Sequence, residues 1–199
     1  MISSPFRVLG IDPGSLRAGW ALVAGSPARP ELVACGEIVL AATWSFERRL
    51  ATLHEALVVV VANVEPTHAA VEAPFHGVSA RAALQLAHAR GVMLAVLGAA
   101  QVPVTEYSPA TIKKAVTGNG RAEKGQVGLM VRSMLRRPDP ALRNDVSDAA
   151  AAALCHLYRN AFRDRLAAVP GAPGSPARAR GPRVSMRGPS FPSGRGEPG

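Results

Sequence analysis

Five consecutive alanines, Ala149 to Ala153, follow directly on Asp145 and Asp148. Few local features constrain a fold more. A helical turn and a half with almost no side-chain bulk can lie against a sheet at backbone distance, where leucines would hold it off. Aspartates three apart fall on one face of a helix. The spacing therefore predicts a helix over 145–165, entered through a polar turn, whose N-terminal end carries both carboxylates to whatever surface the alanines touch.

That surface is legible upstream. Phe6 to Asp12 is an apolar run ending in an acid and the turn signal Pro13-Gly14. Ala18 to Ala24 and Glu31 to Leu40 are two more strand-like runs, parted by Gly25-Ser26-Pro27, which suits a hairpin. Ser45 is a capping residue, and Phe46, Leu50, Leu53, Leu57, Val60, Val61 and Val64 repeat at helical spacing up to Glu65-Pro66. His68 to Glu72 reads as a buried strand, Ser79 to Ala100 as a long helix and Val102 to Tyr107 as a strand. Ser108-Pro109 is a helix start, with Pro at the first helical position. Ala110 to Val116 and Ala122 to Leu135 read as helices joined by a loop. Strands in a meander, then alternating with helices, indicate an α/β domain with a mixed sheet of about five strands.

Two acids stand where acids are costly. Asp12 ends the first strand and Glu72 the fourth, each within apolar residues where an unpaired carboxylate is expensive to bury. With Asp145 and Asp148, four carboxylates from three elements can converge. Like charges that close raise one another's pKa unless cations neutralise them. Hard divalent ions with oxygen ligands suit the need, and Mg²⁺ typically takes one or two carboxylates plus waters and phosphate oxygens. The plainer alternatives stay open: an Asx-type turn at Asp12, and ordinary N-terminal helix acids at Asp145 and Asp148. Glu72 has the weakest such alternative, since Glu is disfavoured in a buried strand.

The charge is unevenly placed. The chain of 199 residues has 23 Lys and Arg against 14 Asp and Glu, for a formal charge of +9. Residues 109–137 hold Lys113, Lys114, Arg121, Lys124, Arg132, Arg136 and Arg137 against Glu123 alone. Residues 167–199 hold five Arg and one Glu among seven Pro and seven Gly. This divides the chain into a globular part over 1–166 and a basic tail over 167–199 expected to be disordered. The tail is either a solvated linker or a flexible arm attracted to phosphates. No run approaches the ~18 uninterrupted apolar residues of a membrane span, and the N-terminus lacks a signal-peptide layout, so a cytoplasmic protein without a membrane partner is expected. Cys35 and Cys155 read as small, buried core residues. The five histidines show no metal spacing, and His156 reads as a plain helix side chain. On the helix over 79–100, Leu84, Ala87, Val92 and Ala95 form an apolar face that is either interface or core.

In order along the chain stand IDPGS (11–15), VEAPF (71–75), ALQLAHARGV (83–92), AEKGQV (122–127) and DVSDAAAAAL (145–154). Together they resemble the RuvC family of Holliday-junction resolvases over roughly residues 6–160. The resemblance implies an RNase H-like fold and a homodimer that nicks two strands of like polarity symmetrically at four-way DNA junctions. It further implies Mg²⁺, two per site, or Mn²⁺ as cofactor, a branch-migration helicase as partner, and a nucleoid-associated cytoplasmic setting. By motif, Asp12, Glu72, Asp145 and Asp148 match the family's catalytic, metal-holding carboxylates. Lys113 and Lys124 match DNA-contacting lysines, with Lys114 and Arg121 beside them. Phe75 matches an aromatic at the junction crossover, where it can stack on an unpaired base; its plainer reading is a core Phe closing the strand. Two departures are local: Ala73-Pro74 follows Glu72 where Gln is frequent, and Ala18-Gly19 replaces Thr-Gly. An RNase H-like nuclease for another branched or RNA-containing substrate, and a non-catalytic DNA-binding module, are the alternatives. A sugar-kinase-like or actin-like ATPase needs a second domain that a body of this length cannot hold.

Overall fold

Side chains alternate across a strand, and along Arg7–Asp12 this sends Val8 and Gly10 to one face while Leu9 and Ile11 go to the other. Both faces are buried: Val8 joins one apolar cluster and Leu9 and Ile11 a second. The first strand is thus covered by helices on both sides, in a three-layer arrangement. The computed structural model describes residues 6–73, 79–136 and 144–167. The elements are β1 (Arg7–Asp12), β2 (Arg17–Ser26), β3 (Arg29–Val39), α1 (Phe46–Val64), β4 (His68–Glu72), α2 (Ala80–Ala99), β5 (Val104–Tyr107), α3 (Pro109–Thr117), α4 (Lys124–Met134) and α5 (Asn144–Ala167). The sheet order is β3-β2-β1-β4-β5. β1, β2 and β3 pair antiparallel, and β1 with β4 and β4 with β5 pair parallel. The expected mixed five-stranded α/β sheet is the one observed.

Local signals account for most boundaries. Ser45, Ser79 and Ser108 each cap a helix, their hydroxyls accepting the backbone N–H of Arg48, Ala82 and Thr111. Pro109 stands in the first turn of α3, and Gly118 ends that helix at φ +78°, a left-handed conformation that favours glycine. The β2–β3 hairpin is tighter than expected, closing over Pro27-Ala28 with Ser26 opposite Arg29. Helix α4 begins at Lys124, two residues later than expected. Ala122 is instead buried in the core, and the Glu123 N–H donates to Gln126 Oε1. α5 runs to Ala167, and the basic tail expected beyond it lies outside the described residues.

α1 and α2 cover one face of the sheet through Leu53, Leu57, Met93 and Leu97. α2 is long and apolar enough, by length and composition alone, to cross a bilayer. Its inner side is nevertheless packed into the core, and Arg90 pairs with Glu106 of β5 at 2.5 Å. The face left open by the sequence pattern points outward, with Leu84 60% exposed and only Val92 half-buried. Cys155 is buried as expected, whereas Cys35 is only half-buried because β3 is an edge strand. His156 is more than a plain helix side chain. It is buried, stacks on Phe6 at 5.8 Å between centroids, and shares a hydrogen bond with the Tyr107 hydroxyl at 3.0 Å.

The opposite face carries α5 directly on β1 and β2, with α3 and α4 packed on α5. Contact is at backbone distance. A Cβ placed on Gly10 would lie 1.9 Å from the Ala149 carbonyl oxygen, and one on Gly19 2.1 Å from that of Asp145. Ala149 to Ala153 are buried without remainder, so neither side of this contact has bulk to yield. Gly10→Ala is therefore expected to destabilise by about 3 kcal/mol or more, lowering the melting temperature by roughly 6–12 °C for a chain of this size. Gly91→Ala on exposed α2, with nothing within 4 Å of its new Cβ, is expected to stabilise by about 0.5–1 kcal/mol. Thermal melts that rank the two variants alike would overturn this account of the α5 contact.

Candidate active site

β1 and β4 are parallel neighbours, so their C-terminal ends and the acids that finish them, Asp12 and Glu72, emerge at the same edge of the sheet. α5 crosses that edge at its N-terminus. Because Gly19, the partner of Asp12 across the β1–β2 ladder, lies under the Asp145 backbone, the first turn of α5 is set down beside the end of β1. One carboxylate oxygen from each of Asp12, Asp145 and Asp148 lies within 4.8 Å of the other two. Glu72 stands outside that tight group but within its field.

The electrostatics show how crowded the cluster is. Asp12 is pushed up to about 7, first by burial and then by Glu72, Asp148 and Asp145, against a lowering pull from Lys124. Burial and Asp148 also raise Glu72 above the ordinary range, opposed by Lys124 and Lys113. Each helix aspartate has a cation beside it. Lys124 Nζ is 2.7 Å from Asp148 Oδ2, and this hydrogen bond raises the lysine above its usual pKa. Arg17 Nε is 3.9 Å from Asp145 Oδ2, and its Nη1 is paired with the Glu37 carboxylate.

The Arg17–Glu37 arm is absent from the sequence reading. Across β2 and β3, Gly19 opposes Glu37 and Arg17 opposes Val39, which makes Arg17 and Glu37 diagonal neighbours on one face. That pairing was visible in principle from the register, but not the fact that this face also receives Asp145. Of the expected DNA-contacting residues, Lys113 and Lys124 line a cavity of about 460 Å³ that also includes Glu72 and Asp148. Lys114 and Arg121 are exposed and are not part of its wall. Phe75 lies outside the described residues.

An all-carboxylate donor set, with Asp12 protonated far too readily for an isolated acid, suits a hard divalent cation. Among the described residues, neutral or soft donors such as His and Cys are not part of this group. Such a cluster at the edge of this sheet can hold a divalent cation and so support cation-assisted hydrolysis.

Comparison with known proteins agrees with this picture. The family model described as "Crossover junction endodeoxyribonuclease RuvC" matches residues 8–156. The chain is 43% identical over 180 residues to the RuvC of Sorangium cellulosum (strain So ce56), covering 90% of this chain and 99% of that protein. It is 45% identical over 160 residues to the RuvC of Alkalilimnicola ehrlichii, covering 80% and 96%. Among solved structures it is similar to Thermus thermophilus RuvC in complex with Holliday junction substrate, with a TM-score of 0.75 and 29% identity over 79% of this chain and 96% of that one. The RNase H-like fold expected from the motifs is thereby borne out.

The Asp12 shift has a thermodynamic consequence. A carboxyl whose folded-state value is about 7 rather than 3.8 binds its proton more tightly in the folded protein. The stability it contributes is full below pH ~4 and is lost as the pH rises through 7. In metal-free buffer, Asp12→Asn is thus expected to melt higher than the parent above pH 7, with the gap closing towards pH 4. Melting curves with a gap independent of pH would contradict the burial and crowding assigned to Asp12.

Proposed function

Because the chain belongs to the RuvC family of crossover junction endodeoxyribonucleases, we propose that it resolves four-way DNA junctions by nicking two strands of like polarity symmetrically. The reaction is phosphodiester hydrolysis leaving 5′-phosphate and 3′-hydroxyl ends. The single observation carrying this reading is the group of three carboxylates, from β1 and α5, within 4.8 Å at the sheet edge.

Asp12, Asp145 and Asp148, with Glu72 beside them, are the residues that would hold Mg²⁺, two ions per site, or Mn²⁺ in its place. When bound, the divalent cations supply an acidified water and neutralise the charge that develops on the leaving oxygen. The chain's own residues do the rest. Asp12, at the rigid end of a strand buried on both faces, fixes the centre of the cluster. Lys124 and Arg17 balance Asp148 and Asp145, so the acids are held in register before any cation arrives. Lys113, half-buried on the cavity rim, is placed to meet phosphate oxygens of the cleaved strand, while exposed Lys114 and Arg121 extend the basic surface beyond it. Phe75, three residues past Glu72, is assigned by motif to the junction crossover. A homodimer is supported by the outward apolar face of α2, and a branch-migration helicase is the partner that the family implies.

The test is incubation of the purified protein with mobile four-way junctions, flaps, linear duplex and RNA–DNA hybrid, with and without Mg²⁺, and mapping of the nicks. Paired symmetrical nicks on the junction alone, absent without metal, are expected. Asp12→Asn is expected to lose at least about 100-fold in nicking rate while still binding the junction. Undiminished cleavage by that variant would remove the carboxylates from the chemistry, and preferential cleavage of the hybrid would favour the RNA-directed alternative. For the dimer, Leu84→Glu is expected to convert a sedimenting dimer to monomer. An unchanged dimer would place the interface elsewhere.

A further inference from the structure

Three positions stand in a row across one face of the sheet: Asp12 on β1 is opposite Gly19 on β2, and Gly19 is opposite Glu37 on β3. Residues directly opposite one another share a face, so Glu37 is a further acid on the face that carries Asp12. The glycine between them leaves the gap into which the Asp145 backbone descends. Glu37 is nevertheless not part of the tight group of Asp12, Asp145 and Asp148. Its partner is instead Arg17, a diagonal neighbour whose Nη1 donates to Glu37 Oε2.

The two cations beside the α5 aspartates differ in their hold. Lys124 Nζ lies 2.7 Å from Asp148 Oδ2, a closed pair. Arg17 Nε lies 3.9 Å from Asp145 Oδ2, beyond hydrogen-bond reach, its Nη1 being committed to Glu37. A guanidinium presents its donors as a rigid fork and can serve two carboxylates at once. The Arg17 side chain is 50% exposed and that of Glu37 20%, so the arm can shift without disturbing the core. We propose that Arg17 is the resident counter-ion of Asp145, which a divalent cation displaces, and that Glu37 is the seat to which Arg17 withdraws. The inference deepens the junction-nuclease reading and rests on its assignment of the carboxylates to a divalent cation.

Arg17 and Glu37 then form one device with opposed halves. Before a cation arrives, Arg17 lessens the repulsion between Asp145 and the acids around it. A divalent cation and Arg17 are like charges competing for one carboxylate, so whatever hold Arg17 keeps on Asp145 weakens the hold of the cation. Glu37 relaxes that competition by neutralising the guanidinium and drawing it aside. The arm thereby sets how much cation the site needs to load. It does so from β2 and β3 without touching substrate, which makes Arg17 and Glu37 positioning residues.

The test is uptake of Mn²⁺ alone by the full, metal-stripped chain without DNA, read by titration calorimetry and by the electron paramagnetic resonance of free Mn²⁺. Arg17→Met is expected to bind Mn²⁺ about three- to fivefold more tightly than the parent, and Glu37→Gln more weakly by a like factor, the size that an exposed ion pair carries. In the double variant carrying both changes, the affinity is expected to stay above the parent's, because Arg17 no longer competes for Asp145. A general loss of folding lowers uptake in every variant and cannot yield a rise in one and a fall in another. An Arg17→Met affinity at or below the parent's, or a Glu37→Gln affinity at or above it, overturns the proposal. So does a double variant returned to the parent's value, which would make the two charges independent, distant fields. In each of these cases the nuclease reading stands as long as the parent's uptake exceeds that of Asp12→Asn. A parent that takes up no more Mn²⁺ than Asp12→Asn overturns the assignment of the carboxylates, and the arm with it.

Discussion

A Cβ atom on Gly10 would sit 1.9 Å from the backbone of Ala149, and one on Gly19 2.1 Å from that of Asp145, so α5 and the sheet touch main chain to main chain. Helices pack on sheets through side chains, and here both sides have given theirs up. The gain is position: at this distance the first turn of α5 overhangs the end of β1 and delivers Asp145 and Asp148 to Asp12. The meeting of the α5 aspartates with Asp12 follows from that contact. Two buried apolar layers, one beneath α1 and α2 and the other around α5, hold it from both sides.

The same approach creates an electrostatic problem that the fold answers only in part. Four acids share one edge, and Asp12 is driven up to about 7 by burial and by its neighbours. Lys124 on Asp148 and Arg17 on Asp145, the latter braced by Glu37, offset some of that repulsion. The remaining negative charge is what a bound divalent cation would neutralise. A cluster fully neutralised by its own lysines and arginines would be more stable and would have less use for a metal.

Beside this charged edge the molecule turns abruptly apolar, and the change in polarity occurs within one cavity. Lys113 and Lys124 line it together with buried Ile112, Val127 and Ala151. The basic stretch over 109–137 thus contributes both charged and apolar residues to one cavity. Lys113 and Lys124 stand beside the acids, and apolar residues of α3 and α4 build the cavity wall.

Much of this was legible from the residues alone, where the cause is local. Serine caps, Pro109 and the period-2 runs placed helices and strands close to their observed limits; Asp12 and Glu72 stood out because an acid was out of place in an apolar strand, and Asp145 and Asp148 because five alanines follow them. The alanine run even declared a close contact without naming its partner. Where readings fell short, the cause was distance along the chain. Arg17 meets Glu37 and Asp145 only because β3 folds beside β2 and α5 lies across both. The outward turn of Leu84 depends on which side of α2 meets α1, and the half-exposure of Cys35 on β3 being an edge. The sequence by itself determined the elements, the chemistry of the four acids and the kind of surface that α5 requires. Tertiary structure alone decided which cations balance which acids and that an apolar cavity opens beside them, because those contacts join residues whose spacing along the chain carries no trace of their spacing in the fold.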